Sequence, residues 1–159
     1  MGVATLSACS GNAEEPIRVQ GMIAFPPKDT VRFALPATMH GCTDRHSVIL
    51  EGLSPEGTGV LVRLRFRDSL VSGTYPITAL GDTVTAPGAN AAVRYLLHDV
   101  THQMVFDTGS AQVRRAGDRV DTRVTGAGLE NAIRTPARVE FHDVPVAGTR
   151  DTVPCNYHI

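Results

Sequence analysis

The clearest signal for the fold is the stretch Val60-Leu-Val-Arg-Leu-Arg-Phe-Arg67. Its even-numbered positions, from Val60 to Phe66, are all apolar, and its odd-numbered positions from Arg63 to Arg67 are all arginine. A period of two is typical of an antiparallel strand with one face in the core and the other in water. We therefore expect a half-buried strand here, with Arg63, Arg65 and Arg67 on its solvent face.

The same alternation recurs along the chain between Gly- and Pro-rich turns. Strands are expected at 17–25, 31–35, 46–53, 60–67, 110–115, 119–126 and 137–142, with an edge-type segment ending at Pro76 and a short last strand around Cys155. Residues 91–98 fit a strand or a helical turn, and we favour the strand. Ala116-Gly117-Asp118 is typical of a hairpin turn. This pattern predicts an all-β fold, an antiparallel β-sandwich of about 7–10 short strands or a barrel-like closure of it.

Composition limits the classes of partner and the number of domains. The 159 residues suit one domain, and 15 basic against 16 acidic residues leave a net charge of −1. A nucleic-acid-binding protein normally has a basic excess, so we expect no nucleic-acid partner. No apolar run reaches the roughly 18 residues of a membrane-spanning helix.

The N-terminal segment carries the most specific motif. Leu6-Ser7-Ala8-Cys9 is followed at once by the polar stretch Ser-Gly-Asn. These four residues resemble the lipobox of bacterial lipoproteins, in which diacylglycerol is attached to the Cys thiol and the signal peptide is cut before it. The resemblance implies that 1–8 is a signal-peptide remnant and that Cys9 anchors the chain in membrane lipid. Only eight residues precede Cys9 and none is basic, so either the true start lies upstream of Met1 or the chain is truncated. Residues 9–16 would be a flexible tether, and 17–159 a single β-sandwich domain.

Cys42 and Cys155 are the remaining cysteines. If Cys9 is lipidated and the chain is exported, an even pair is left in an oxidising compartment, where such pairs usually form a disulfide. The alternative is two unrelated buried thiols. No Cys-x-x-Cys motif is present, so thiol catalysis is not expected.

Two weaker patterns suggest binding sites. His40 and His46 flank Cys42, and His98 and His102 are four residues apart, which makes them weak candidates for metal ligands. On a strand, however, His98 and His102 would lie about 13 Å apart. The Arg63, Arg65 and Arg67 face is a candidate anion-binding surface, because guanidinium groups bind phosphates and carboxylates in a bidentate manner. The simpler interpretation is a solvated face whose arginines pair with nearby carboxylates.

The layout of lipobox, tether and β-body, with Gly-Thr-Tyr-Pro at 73–76 and a late hairpin, resembles small bacterial lipoproteins with a β-sandwich body. That resemblance implies surface tethering and brings no catalytic residues. We expect a non-catalytic binding or structural module, lipid-anchored in the cell envelope on its extracytoplasmic side. Its partner would be an envelope protein or a glycan, and no cofactor is expected. The alternative is a small metal-dependent or hydrolytic periplasmic enzyme that uses loop His and Asp residues.

Overall fold

The computed structural model describes residues 14–155, and all regular structure in this range is β-strand. Residues 9–13, with the proposed lipid site Cys9, lie outside the described residues. The strands are β1 (Ile17–Phe25), β2 (Asp29–Pro36), β3 (Thr38–Cys42), β4 (Ser47–Leu53), β5 (Gly59–Arg65), β6 (Gly73–Pro76), β7 (Gly88–Leu97), β8 (Val100–Ala116), β9 (Arg119–Glu130), β10 (Ile133–Pro145) and β11 (Thr152–Val153). No helix within 14–155 has the length and apolar character needed to cross a membrane.

The strands form one curled sheet in the order β11-β3-β4-β5-β7-β8-β9-β10-β1-β2. The long strand β8 joins its two halves, because residues 100–105 pair with β7 and residues 106–116 pair with β9. The short strand β6 pairs with β8 beyond the end of β7. Every strand pair is antiparallel except β11 with β3. The all-β, barrel-like architecture predicted from the alternation is therefore confirmed.

Most of the predicted strands are present, with a few differences. The region 91–98 is a strand, as favoured, but β7 already begins at Gly88. Its first residues are buried and pair with β5, a strand distant in the sequence, which local periodicity does not report. Strand β3 was not predicted, although it pairs with the next strand β4, because its own alternation is weak. Cys155 follows β11 instead of lying in a strand.

The core lies between the two halves of the curled sheet. The apolar face of β5 is buried as expected, with Val62 and Leu64 fully enclosed, and it meets Phe106, Phe141 and other inward side chains of the opposite half. The two halves are in close contact at Gly52 of β4. A Cβ there would lie 2.7 Å from a methyl carbon of Val19 and 3.0 Å from the carbonyl oxygen of Pro36. This close approach requires glycine and keeps β1 and β2 packed on β4.

Strand β1 runs between two ends of the sheet. It starts at Ile17, and its nine residues span about 30 Å to Phe25. At the Phe25 end the ring of this residue packs edge-on against His102, with 5.2 Å between ring centroids. The turns after β1, β7 and β9 lie at this same end, opposite to Ile17.

Candidate functional site

Cys42 and Cys155 form a disulfide, which confirms the predicted pairing. Their Cα atoms are 5.4 Å apart and the bond closes a separation of 113 residues. Both cysteines are buried with Ile49 in a small cluster behind β3 and β4. The bond fixes the C-terminal segment to β3, so Cys42 is not available as a thiolate ligand for a metal.

Arg63 helps to hold this disulfide-linked region in place. Its guanidinium makes a 2.8 Å ion pair with Asp44 and donates to the carbonyl oxygen of Cys155 at 3.1 Å. Partial burial alone would raise the pKa of Asp44. The amide of His46, the hydroxyl of Ser47 and Arg63 together outweigh burial and lower that pKa below its usual value. The partners of Arg63 are therefore provided within the chain, and its carboxylate partner is Asp44.

The prediction that Arg65 lies on a solvent face is wrong. Only 3% of Arg65 is exposed, because residues 77–87 fold over this side of β5. Its guanidinium donates to the carbonyl oxygen of Thr85 at 3.0 Å and to the side-chain oxygens of Asn90 and Thr78. Desolvation lowers the pKa of Arg65, with the charge of Asp82 opposing that effect. Arg67 is exposed and donates to the carbonyl oxygen of Ala86 at 3.2 Å. The three arginines thus hold loops in place and do not form one open anion-binding face.

The candidate histidines are separated over the molecule. His40 lies 3.3 Å from the Thr38 hydroxyl, and His46 bonds through Nδ1 to the carbonyl oxygen of Arg67 at 2.9 Å. His98 sits in the β7–β8 turn, where its Nε2 is 3.9 Å from Asp29, and His102 lies on β8. Within residues 14–155, no three His, Cys, Asp or Glu side chains are placed to share a metal ion.

A different set of arginines lines an open concave surface. On the outer face of the sheet, Met22 of β1 stands between Arg32 of β2 and Arg138 of β10 in one cross-strand row. The next row places Gln20 beside Glu140. Together with Ala34 these side chains line a depression of about 620 Å³, which we call the outer-face groove. Its members are Gln20, Met22, Arg32, Ala34, Arg138 and Glu140.

The outer-face groove has more positive than negative charge. Glu140 accepts a hydrogen bond from Arg138 at 2.6 Å and a second from Arg123, which lies opposite it on β9. The Arg138 bond, opposed by partial burial and reinforced by Arg123, lowers the pKa of Glu140. Arg32 is exposed and makes no ion pair with another described residue. The groove itself therefore contains two guanidinium groups and one carboxylate, an excess of one positive charge, and Arg123 lies beside it on β9.

A second polar cluster lies at the Phe25 end of β1. Glu130, with 6% of its surface exposed, accepts a 2.5 Å hydrogen bond from the Tyr95 hydroxyl and bonds to Nδ1 of His102. The His102 ring also stacks on the Tyr95 ring, with centroids 5.3 Å apart. Burial, and then the carboxylate of Glu130, raise the pKa of Tyr95 far above its usual value. This arrangement keeps a buried carboxylate satisfied and ties β9 to β7 and β8.

Sequence reasoning missed both the groove and this cluster, although part of each signal is present. Arg32 and Arg138 alternate with inward apolar residues, so their outward direction is readable. Glu130 lies an even number of residues from the buried Val120 and Val124 of β9, so alternation places its side chain on the inward face. A carboxylate in that position needs hydrogen-bond partners. What the sequence does not contain is the pairing of β2 and β10 with opposite edges of β1.

No known protein family matches the chain, and no curated protein or solved structure matches it.

Proposed function

We propose that this protein is a lipid-anchored, extracytoplasmic and non-catalytic binding module of the cell envelope. The observation that carries the binding role is the outer-face groove, a concave open surface on which Arg32 and Arg138 accompany the single carboxylate of Glu140. Guanidinium groups on such a surface favour ligands with carboxylate or phosphate groups. The ligand class we propose is therefore an anionic envelope component.

Two features support a location outside the cytosol. The lipobox-like residues before Cys9 favour acylation of that thiol. Each methylene buried in the bilayer contributes about 0.8 kcal/mol to the free energy of membrane binding, so two or three acyl chains anchor a protein stably. The Cys42–Cys155 disulfide is buried, and such bonds persist mainly in oxidising compartments. Residues 10–16 would span about 20 Å when extended, which allows the body to stand clear of a membrane surface.

A small hydrolytic enzyme is the second candidate, and only the His102–Glu130 pair favours it. A carboxylate that orients a histidine through Nδ1 is the supporting part of many acid–base sites. Such a site also needs a nucleophile at the other ring nitrogen. No described Ser, Thr or Cys side chain hydrogen-bonds to His102, so the binding role has the stronger support.

The anchor is tested by fractionation of cells that produce the full-length protein with its own export signal. We expect the wild type in the membrane fraction, labelled by radioactive palmitate, and Cys9→Ser released and unlabelled. Ser10→Ala is the matched control, because it changes the neighbouring residue and keeps the thiol. Equal membrane partitioning of wild type and Cys9→Ser would contradict the anchor.

The groove is tested separately on purified Cys9→Ser protein with polyglutamate as the anionic probe and polylysine as its cationic counterpart. We expect polyglutamate binding that weakens with salt and falls at least about tenfold in Arg32→Glu/Arg138→Glu. Arg45→Glu/Arg150→Glu changes the net charge equally at two exposed arginines outside the groove and should keep most of the binding. Equal losses in both double variants would show a nonspecific charge effect and contradict the proposed face.

A further inference from the structure

Strand β2 is an open edge beside the outer-face groove. It is the last strand of the sheet and pairs only with β1, through residues 29–36. No other strand within residues 14–155 is hydrogen-bonded to its second edge. An edge strand carries a row of backbone N–H and C=O groups that are free to pair with an added strand. The eight residues of β2 are long enough for several such bonds.

The outer side of this edge selects for negative charge. Arg32 lies in the middle of β2, exposed, and Arg138 lies two strands away in the same row, about 10 Å off in the sheet direction. The exposed side chain of Lys28 stands at the start of the strand. A strand added beside β2 would place its outward side chains next to Arg32. The guanidinium group would attract carboxylates at these positions and repel cations. The groove beside Arg32 offers room for a long acidic side chain.

The inner side of the same edge selects for apolar residues. Val31 and Phe33 point inward, pack on the core and remain partly exposed at the sheet edge. Phe33 lies over Gly21, where a Cβ would collide with its ring, so the position of the ring is fixed by the sequence of β1. An inward apolar side chain from an added strand would cover the exposed part of Phe33.

Arg32 also disfavours pairing of β2 with a second copy of itself. An antiparallel β2–β2 pair centred on this part of the strand brings Arg32 close to its own copy, and like charges on facing strands destabilise the pair. The edge of β2 is therefore free to pair with another strand, but it favours a strand whose outward side chains are negatively charged.

We propose, on the basis of the binding role above, that the free edge of β2 receives an extended segment of a partner protein as an additional strand. The segment alternates acidic and apolar residues, with the acidic ones beside Arg32 on the outer face and the apolar ones against Phe33 on the inner face. Backbone hydrogen bonds supply affinity, and the two rows of side chains supply specificity.

The test uses full-length Cys9→Ser protein and three synthetic peptides, with affinity measured by fluorescence anisotropy. The first peptide is acetyl-Val-Glu-Val-Glu-Val-Glu-Val-amide, the second has Lys for Glu, and the third is the Glu peptide with alternate backbone nitrogens methylated. We expect the Glu peptide to bind at least tenfold more tightly than either of the others. Amide hydrogen exchange should show new protection in β2 and none in β11, the opposite edge of the sheet.

The protein variants separate charge from folding. Arg32→Glu should reverse the preference so that the Lys peptide binds better, and Arg45→Glu should leave the preference for the Glu peptide unchanged. Equal binding of the methylated and unmethylated Glu peptides would overturn strand addition while leaving the anionic groove in place. Failure to bind either the Glu peptide or polyglutamate would overturn this inference and the proposed binding face together.

Discussion

Arg65 shows how one buried cation organises a loop. Its guanidinium reaches Thr78, Thr85 and Asn90, so it joins β5 and β7 to the segment that covers them. The same loop is closed by Asp82, whose pKa is lowered to about 2 by bonds from the hydroxyl and amide of Thr85 and from the amide of Val84. Removing Arg65 would leave several buried polar groups without partners, which is the costly case for any polar network.

We therefore predict that Arg65→Ala lowers the free energy of unfolding by about 3 kcal/mol. Arg67→Ala, two residues away and exposed, should cost less than about 0.5 kcal/mol. Urea denaturation of both variants measures the difference. Equal, small effects would mean that Arg65 is solvated and that the loop does not depend on it.

The pKa of Tyr95 leads to a pH prediction. The folded protein holds the phenol proton to a higher pH than the unfolded chain, whose tyrosines titrate near pH 10. The contribution of Tyr95 to stability is thus intact below about pH 10 and is lost as the pH rises further. We expect the free energy of unfolding to fall between about pH 10 and 11.5, and to fall less steeply in Tyr95→Phe. Identical pH slopes for the two proteins would contradict the buried Tyr95–Glu130 bond.

For single residues, the side of the strand on which a side chain lies was predictable, but its exposure and its hydrogen-bond partners were not. Alternation correctly placed Val60, Val62 and Leu64 in the core and Arg65 on the other face of β5. That face is covered by a loop whose path depends on contacts across more than ten residues, so the exposure of Arg65 was predicted wrongly. The partners of Glu130 come from two other strands and could not be predicted from the sequence either.

The β9–β10 turn is an element whose sequence does not suit its backbone. Asn131 and Ala132 both have left-handed conformations, with φ of 48° and 65°. Two-residue hairpin turns of this kind favour Asn-Gly, because a Cβ is disfavoured in the left-handed region. Asn131 fits this preference and Ala132 does not.

Ala132→Gly should therefore raise the free energy of unfolding by about 0.5–1 kcal/mol, since the relief of strain exceeds the added chain entropy. Ala34→Gly, in an exposed position of β2, is the control and should lower it by a similar amount. Thermal unfolding followed by circular dichroism measures both. Destabilisation by Ala132→Gly would show that the turn residue is not strained.

Among the elements, the hairpin with a glycine turn was predictable, and hairpins without one were not. The β8–β9 hairpin was found from Ala116-Gly117-Asp118, where Gly117 has the expected positive φ of 61°. The first half of β8 and all of β3 were missed. Both pair with the next strand in the sequence, β8 with β7 across residues 98–99 and β3 with β4 across residues 43–46, but these turns contain no glycine and the alternation of the two segments is weak.

The disulfide ties the whole molecule together, because it joins β3 near the start of the body to its C-terminal segment. In the chain-entropy model, a closed loop of 113 residues stabilises the fold by about 4–5 kcal/mol. We predict that Cys42→Ser/Cys155→Ser lowers the free energy of unfolding by about that amount. Thiol titration of the denatured, non-reduced Cys9→Ser protein should find no free thiol.

The control is the Cys9→Ser protein with Cys42 and Cys155 intact, measured with and without reductant. Reductant should lower its stability to that of the triple variant, Cys9→Ser/Cys42→Ser/Cys155→Ser, and should leave the triple variant unchanged. Two titratable thiols in the non-reduced protein would contradict the bond.

For the molecule as a whole, the central proposal is that acyl chains on Cys9 hold a β-body with an anion-binding face outside the cytosol. Mass spectrometry of the N-terminal peptide from native cells tests it most directly. We expect a mature peptide that begins at Cys9 and carries a diacylglyceryl group on its sulfur. An unmodified peptide that continues through Ala8-Cys9-Ser10 would contradict it.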